Sequence, residues 1–255
     1  DDAAAARLVA EGLKVGYRHI DTAAMYKNEA GVGEGLRSGG VPREEIFLTT
    51  KVWHSEVGDG DLQRSVEASL KRLDVDALDL VLIHWPSKAV PLAESIAALN
   101  DVRKKGYTRH IGVSNFTVAL LEEAVRLSEA PLACNQVEKH PFLNQDRVLD
   151  ACRRHGLGLV SYCPLARGSE LSATPTIVAI AERHGRTPAQ VALRWHLQHD
   201  GVAAIPRSSR PERIAENLRV FDFSLSEAEM AEISALRSRG WRICDDTFAP
   251  EWDPV

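Results

Sequence analysis

Short apolar runs alternate with amphipathic stretches along the chain, and this alternation restricts the possible folds more than any other feature. One amphipathic stretch places Leu62, Val66, Leu70 and Leu73 on a single helix face, at spacings of four, four and three. Seven apolar runs are typical of strands, and they cover residues 17–21, 46–52, 80–84, 111–113, 132–137, 157–161 and 202–205. Because parallel strands need a crossover connection, strict alternation of strand and helix predicts an α/β fold with a parallel sheet.

The length of 255 residues fits a single (β/α)8 barrel, and we predict one domain over residues 1–255. An open doubly wound sheet is the alternative, but no dinucleotide-binding fingerprint follows an early strand. Gly31, Gly33 and Gly35 resemble such a fingerprint, yet Leu36 stands where its third glycine is required. The run also lies inside a helical pattern. We therefore predict that these glycines allow close helix packing.

Composition argues against several classes of function. The chain has 31 Lys and Arg against 36 Asp and Glu, a net charge of −5, whereas nucleic-acid binding needs a basic face. No apolar run approaches the ~20 residues of a membrane span, and no secretory leader pattern precedes the first helix. We expect a cytoplasmic protein with no nucleic-acid, membrane or metal partner. Its cysteines, none in C-x-x-C spacing, are expected to be reduced thiols: Cys134, Cys152, Cys163 and Cys244.

Polar residues stand at the carboxyl ends of the predicted strands, where (β/α)8 barrels build their active sites. A carbonyl accepts a hydride when its oxygen is protonated or polarised as negative charge develops there. We predict Tyr26 as the proton donor, with the ammonium of Lys51 stabilising the phenolate that results. Asp21 would hold Lys51 in place, and His84 would orient the carbonyl oxygen. The strand-end series is Asp21, Lys51, His84, Ser114, Asn115, Gln136, Tyr162 and Arg207.

These residues lie in a series of motifs that resembles the aldo-keto reductases. The series is GYRHIDTAAMYKNE, TTKVW, LVLIHWP, GVSNF, NQVE and IPRS, and the resemblance extends over essentially the whole chain. The ending APEWD is similar to the bacterial 2,5-diketo-D-gluconate reductase B branch of the family. The resemblance implies a (β/α)8 barrel enzyme that uses NADPH to reduce aldehydes or ketones to alcohols. Substrates of the implied class are 2-oxoaldehydes such as methylglyoxal, or keto-sugar acids such as 2,5-diketo-gluconate.

The resemblance also implies which residues hold NADPH. Ser114, Asn115 and Gln136 would bind the nicotinamide amide, and Tyr162 would stack on its ring. Arg207, Ser208 and Arg213 would hold the adenosine 2′-phosphate, and three arginines within seven residues of an acidic chain favour NADPH over NADH. The complete predicted cofactor set is Asp21, Thr22, Ser114, Asn115, Gln136, Tyr162, Cys163, Pro164, Leu165, Ile205, Pro206, Arg207, Ser208, Ser209, Arg210, Arg213, Glu216 and Asn217.

Two tryptophans directly follow strands that line the predicted site. We predict that Trp53 and Trp85, together with His84, bind the substrate. The helix-poor tail after Gly240 is expected to lie on the surface. Cys163 stands where relatives often have serine.

The sequence departs from the family at its start, because relatives begin with a hairpin and a first strand whereas this chain begins at the following helix. We therefore expect an N-terminally incomplete barrel, and a monomer, as most similar reductases are. Two other functions stay open. One is a regulatory subunit that binds nicotinamide nucleotide and senses redox state without turnover. The other is a barrel aldolase in which Lys51 forms a Schiff base.

Overall fold

The computed structural model describes residues 1–254, and these residues divide into two compact units. The first unit comprises Asp1–Asn135 and Phe248–Trp252, and the second comprises Gln136–Thr247 with Asp253 and Pro254. Val255, the last residue of the predicted domain, lies outside the described residues. That the whole chain forms one domain stays a prediction.

Seven strands form a parallel sheet in which each strand neighbours the next one in the chain. The register is parallel for β1 with β2, β2 with β3, β3 with β4, and β6 with β7. A doubly wound sheet reverses its strand order at a switch point, whereas this order never reverses. The predicted α/β class is confirmed, with seven strands in the order of a (β/α)8 barrel. The strands are β1 (His19–Asp21), β2 (Phe47–Val52), β3 (Leu78–Ile83), β4 (Thr108–Ser114), β5 (Leu132–Glu138), β6 (Gly158–Tyr162) and β7 (Val202–Ala204).

Helices separate the strands, and two of them begin at capping boxes that the sequence shows. Thr187 and Gln190 exchange side-chain and backbone hydrogen bonds at the start of α9, and Ser226 and Glu229 do the same at the start of α11. The helices are α1 (Asp2–Val15), α2 (Glu29–Ser38), α3 (Asp61–Leu73), α4 (Leu92–Lys104), α5 (Val118–Leu127), α6 (Asp146–Arg154), α7 (Ser169–Ser172), α8 (Pro175–His184), α9 (Pro188–Leu197), α10 (Pro211–Leu218) and α11 (Glu227–Ala235).

Each unit has its own apolar packing. In the first unit every residue of β3 is buried, as expected for a parallel strand covered on both faces. The predicted face of α3 packs inward, with Leu62, Val66 and Leu73 fully buried. In the second unit α8, α9 and α11 enclose a core that includes Ile180, Trp195 and other buried side chains. Within residues 1–254 no helix is long and apolar enough to cross a bilayer.

The glycine run of the first unit lies inside α2 and makes close helix contacts, so the packing interpretation is confirmed. A Cβ atom at Gly31 would collide with the backbone of Asp2 at the start of α1. A Cβ atom at Gly33 would collide with the backbone carbonyl of Leu73 at the end of α3. The two glycines therefore let α2 pack against a helix on each side.

The tail after Gly240 is held by specific contacts. In the second unit the backbone N–H groups of Ile243 and Cys244 donate to the carboxylate of Glu138, at 2.7 and 2.8 Å. In the first unit Ala249 is buried. Among residues 241–254 Ala249 alone is buried, so most of the tail does lie at the surface as expected, but a buried carboxylate and a group of aromatic rings hold it there.

The α2 contacts predict opposite effects for two glycine-to-alanine substitutions. Gly33→Ala should lower the free energy of unfolding by about 1–3 kcal/mol, because backbone atoms of α3 must move to admit the methyl group. Gly12→Ala in α1 is the control, since its Cβ would meet only Tyr17 Cδ2, at 3.9 Å. That change should leave stability unchanged or raise it by up to ~1 kcal/mol. Urea unfolding curves measure both, and equal midpoints for the two variants would contradict the packing argument.

Candidate active site

Lys51 lies in β2 and is fully buried, so its charge depends on polar partners. Its Nζ donates to the Asp21 carboxylate and, at 2.9 Å, to the backbone carbonyl of Thr22. Burial works to lower the Lys51 pKa, but the charge of Asp21 and hydrogen bonds with Asp21 and Tyr26 hold that pKa above its ordinary value. The first unit therefore contains a buried ammonium that stays charged beside a phenol.

Tyr26 closes a short 3-10 turn, Ala24–Tyr26, in the loop after β1. The next residue, Lys27, has a left-handed φ of 53°, which ends the turn before α2 begins. The Tyr26 side chain is 47% exposed, and the Lys51 Nζ lies 5.2 Å from its ring centroid. The Tyr26 ring also packs edge-on to the His84 ring at 5.8 Å. All four predicted catalytic residues are thus brought together in one unit.

Glu29 fixes the position of the segment that follows Tyr26, and the sequence prediction did not include it. Its carboxylate is buried and accepts hydrogen bonds from Thr50 Oγ1 at 2.5 Å and Ser69 Oγ at 3.1 Å. Arg72 donates to it through Nε at 2.8 Å and Nη2 at 2.6 Å. Thr50 precedes Lys51 on β2, so Glu29 ties the start of α2 to the strand that carries the ammonium. The sequence signal was available, but an acidic residue in a first helical turn is usually interpreted as a dipole partner.

His84 directly follows β3 and is a neutral, nearly buried ring. Its backbone N–H donates to the Val52 carbonyl at 2.9 Å, and its own carbonyl accepts from Asn115 Nδ2 at 3.0 Å. Burial, with the positive charges of Lys51 and His54, lowers the His84 pKa to about 3. Its Nδ1 is buried and has no hydrogen-bond partner among residues 1–254. A buried ring nitrogen left unsatisfied costs free energy, which is typical of a group reserved for a ligand.

Aromatic side chains surround His84 on the side of the predicted substrate residues. The ring centroid of Trp53 lies 5.2 Å from that of His84, and Phe248 lies 5.1 Å from both Trp53 and Trp85. His54 stacks on Phe248 at 4.8 Å. The sequence predicted Trp53 and Trp85 but missed His54 and Phe248. Phe248 is separated from them by more than 150 residues, so no local pattern could associate it with this aromatic group.

The remaining predicted cofactor residues of the first unit stand at the ends of β1 and β4. Ser114 and Asn115 are buried, and Asn115 has a left-handed φ of 63°. The Asn115 amide donates to the backbone carbonyl of His84, so it holds the backbone of that predicted site residue. Thr22 Oγ1 is a second buried polar atom that lacks a partner within the described chain.

The second unit carries the other predicted cofactor residues, most of them in two loops. Gln136 is buried in β5, and burial raises the pKa of Tyr162, at the end of β6, well above its ordinary value. Glu216 is not free in this unit, because it accepts from Thr187 Oγ1 at 2.7 Å. The loop after β6 holds Cys163, Pro164 and Leu165, and the segment after β7 holds Ile205, Pro206, Arg207, Ser208, Ser209, Arg210, Arg213, Glu216 and Asn217.

Three guanidinium groups of the second unit are exposed near the start of α10. Arg207, Arg210 and Arg213 form no ion pair with any residue from 1 to 254. Ser208 Oγ accepts from the Arg210 backbone N–H at 3.1 Å and shapes the turn before the helix. A cluster of unpaired arginines at a helix start is suited to a phosphate group.

The sequence model of the Aldo/keto reductase family matches residues 1–238. The chain belongs to this family. This aldo-keto reductase is 47% identical over 228 residues to the glyoxal reductase of Bacillus subtilis, covering 89% of this chain and 82% of that one. It is 41% identical over 248 residues to the methylglyoxal reductase DkgB of Salmonella typhi, and the match covers 96% of this chain and 92% of that one.

Solved structures agree with this assignment. The reductase superposes with a TM-score of 0.96 and 46% identity on a candidate 2,5-diketo-D-gluconic acid reductase B, over 100% of this chain and 90% of that one. It also superposes on a Bombyx mori aldo-keto reductase in complex with NADP, with a TM-score of 0.91 and 30% identity. This match covers 99% of this chain and 88% of that one. The predicted family is confirmed. The protein is an oxidoreductase that acts on carbonyl compounds.

The buried neutral state of His84 predicts how the stability of the reductase depends on pH. The unfolded chain binds a proton at His84 below pH ~6.5, whereas the folded chain does not until about pH 3. The contribution of the neutral His84 ring to the free energy of unfolding is therefore full above pH ~6.5, and it is lost as the pH falls towards 3. Between pH 7 and pH 5 the free energy of unfolding should fall by about 2 kcal/mol more for the wild type than for His84→Asn, because asparagine does not titrate. Urea unfolding at both pH values measures this, and parallel losses would show that the folded ring protonates.

Proposed function

We propose that this protein reduces small polar aldehydes and ketones to alcohols with NADPH, and that Tyr26 is the general acid. The observation that carries the proposal is the set of contacts around Lys51. Its ammonium is ion-paired with Asp21 and lies 5.2 Å from the centroid of the Tyr26 ring, beside a neutral His84. A phenol next to a fixed cation and a hydrogen-bonding ring is the arrangement that carbonyl protonation requires.

Different residues of the first unit have separate roles in protonating the carbonyl oxygen. When bound, the nicotinamide cofactor supplies a hydride to the carbonyl carbon. His84 is neutral, so its ring can hydrogen-bond the carbonyl oxygen without burying a second positive charge near Lys51. Tyr26 transfers its hydroxyl proton to that oxygen as negative charge develops there, and Lys51 stabilises the phenolate that remains. Because the Tyr26 side chain is half-exposed, it can regain a proton from water.

The second unit has the groups that an NADPH 2′-phosphate needs. Arg207, Arg210 and Arg213 are exposed and carry no ion pair within residues 1–254, so a phosphate would not have to displace an internal partner. Arginine binds phosphate through two parallel hydrogen bonds. Gln136 and Tyr162 are proposed to contact the nicotinamide. The same role for Ser114 and Asn115 rests on the family resemblance.

The aromatic residues of the first unit support a small substrate. Trp53, Trp85 and Phe248 pack beside His84, so ring surfaces form this side of the proposed substrate site. The glyoxal and methylglyoxal reductases that the chain resembles take small dicarbonyls by their names. We propose 2-oxoaldehydes or keto-sugar acids as the substrate class. We further propose a cytoplasmic monomer without a nucleic-acid or membrane partner.

The structure does not favour the two other functions. A Schiff-base lysine must be available as a free amine, which a lowered pKa provides. Lys51 is instead fully buried, ion-paired with Asp21, and has a raised pKa. A regulatory subunit without turnover would need none of the four residues that meet around Lys51.

Loss of the Tyr26 hydroxyl provides the test of the mechanism. Tyr26→Phe should lower kcat for methylglyoxal by about 100- to 10,000-fold, because proton transfer to the carbonyl oxygen is lost. NADPH binding should be retained. The decrease in NADPH absorbance measures turnover, and quenching of tryptophan fluorescence measures binding. Tyr107→Phe is the control, since that hydroxyl only donates to Glu67, at 2.8 Å. Turnover by Tyr26→Phe at the wild-type rate would refute the role, and NADPH binding without turnover by the wild type would favour the regulatory subunit.

The arginine cluster predicts a selective effect on the two nicotinamide cofactors. Arg213→Ala should weaken NADPH binding by about 10- to 100-fold, the effect of losing a charged hydrogen bond, and leave NADH binding unchanged. Arg219→Ala is the control, because Arg219 is also exposed but lies at the opposite end of α10. Fluorescence titration with each cofactor gives the dissociation constants. Equal losses for NADPH and NADH would contradict a 2′-phosphate site.

A further inference from the structure

Strand β2 is contacted on both of its faces by one short segment of the first unit, residues 26–29. Successive side chains of a strand point to opposite faces, so Thr50 and Lys51 lie on opposite faces of β2. On one face the Lys51 Nζ lies 5.2 Å from the Tyr26 ring centroid. On the other face Thr50 Oγ1 donates to the Glu29 carboxylate at 2.5 Å. The segment therefore passes over β2 near the carboxyl end of the strand.

The Glu29 carboxylate is buried, and hydrogen bonds fix its orientation. Its Oε2 accepts from Arg72 Nε at 2.8 Å and from Arg72 Nη2 at 2.6 Å, two charge-assisted bonds from one guanidinium. Ser69 Oγ donates to the same Oε2 at 3.1 Å, whereas Oε1 is the oxygen that accepts from Thr50. Glu29 is also the first residue of α2. The start of this helix therefore cannot move along β2 without breaking buried hydrogen bonds to a charged group.

The connection between Tyr26 and Glu29 is short and has a defined conformation. Only Lys27 and Asn28 separate the two residues. Lys27 has a left-handed φ of 53°, a region that residues other than glycine seldom occupy. The Tyr26 backbone N–H donates to the Ala23 carbonyl at 3.0 Å and closes the turn on the other side. Few backbone torsions are therefore free to absorb a displacement of Glu29 before it reaches the Tyr26 ring.

We propose that Glu29 is a positioning residue of the reductase, which acts through its hydrogen bond with Thr50 to hold Tyr26 beside Lys51. This inference rests on the proposed function, in which Tyr26 protonates the carbonyl oxygen. Glu29 lies on the face of β2 opposite Lys51, so it acts through the geometry of the chain. That geometry matters because a misplacement of about 1 Å can lower the rate of a catalysed step ~100-fold.

Thr50→Val and Ser69→Ala form a matched pair, because each removes one buried hydroxyl that donates to Glu29. Only the Thr50 hydroxyl belongs to the strand that carries Lys51. Single-turnover oxidation of bound NADPH by methylglyoxal should slow by about tenfold or more in Thr50→Val. It should match the wild-type rate in Ser69→Ala, where Arg72 still orients the carboxylate. The NADPH dissociation constant and the KM for methylglyoxal should be unchanged in both variants.

Glu29→Gln provides a second kinetic test of the same contact. It should slow the single-turnover step, and combining it with Thr50→Val should give a rate no lower than that of the slower single variant, because both changes break one hydrogen bond. A wild-type rate in Thr50→Val, or equal slowing in Thr50→Val and Ser69→Ala, would overturn the positioning role. A raised KM with an unchanged single-turnover rate would overturn it as well.

Hydrogen–deuterium exchange of the folded full chain tests the positioning without turnover. Backbone N–H exchange within residues 23–29 should be faster in Thr50→Val than in the wild type, and unchanged in Ser69→Ala. Unchanged exchange of this segment in Thr50→Val would overturn the positioning proposal, whatever the activity. If exchange becomes faster as expected but the wild type never consumes NADPH, the carbonyl-reductase proposal fails instead. The two proposals therefore fail on different measurements.

Discussion

The ion pair between Lys51 and Asp21 is the interaction on which the first unit depends. A buried ammonium without a partner costs several kcal/mol, so Lys51 can occupy the interior of β2 only if an acceptor is fixed beside it. The parallel register of β1 and β2, with Asp21 opposite Thr49, places that acceptor two residues from Lys51 along the strand. The buried charge of Lys51 therefore requires this register of β1 and β2, because the register places the Asp21 carboxylate beside it. Removing Asp21 would leave the buried Lys51 ammonium without its anionic partner.

Lys51 and His84 are neighbouring titratable groups, but their surroundings give them opposite protonation states. Lys51 stays charged because Asp21 and the Thr22 carbonyl solvate it. His84 stays neutral because it is buried near that same positive charge and has no acidic partner to balance a proton. Such divergence between neighbouring groups is what the proposed mechanism requires, because it gives a charged group and a neutral hydrogen-bonding ring separate roles. The unpartnered His84 Nδ1 is a cost in stability.

The proposed anion site of the second unit follows a different principle. Arg207, Arg210 and Arg213 are exposed and carry no ion pair within residues 1–254, so they would lose little when an anion binds, and salt would weaken their attraction. The interior of the second unit instead contains Glu138, a fully buried carboxylate that satisfies two backbone N–H groups of the tail and the ring of His140. That carboxylate therefore holds the tail at Ile243 and Cys244.

The sequence by itself determined the elements and the chemistry of the strand ends. Apolar periodicity located all seven strands, the Thr187 and Ser226 boxes located two helix starts, and the α2 glycines indicated packing, because each of these signals acts within a few residues. Strand-end positions also identified the residues around Lys51, since parallel strands end at the same edge of a sheet.

Only the tertiary structure decided which distant groups meet. It brought Phe248 to Trp53 and Trp85, connected Glu29 to Arg72, and bound the tail at Ile243 to Glu138, 105 residues earlier in the chain. It also set the neutral state of His84. The physical reason is that hydrogen bonds, burial and charge act through space, over a few ångströms, and local sequence periodicity carries no information about which remote segments come that close.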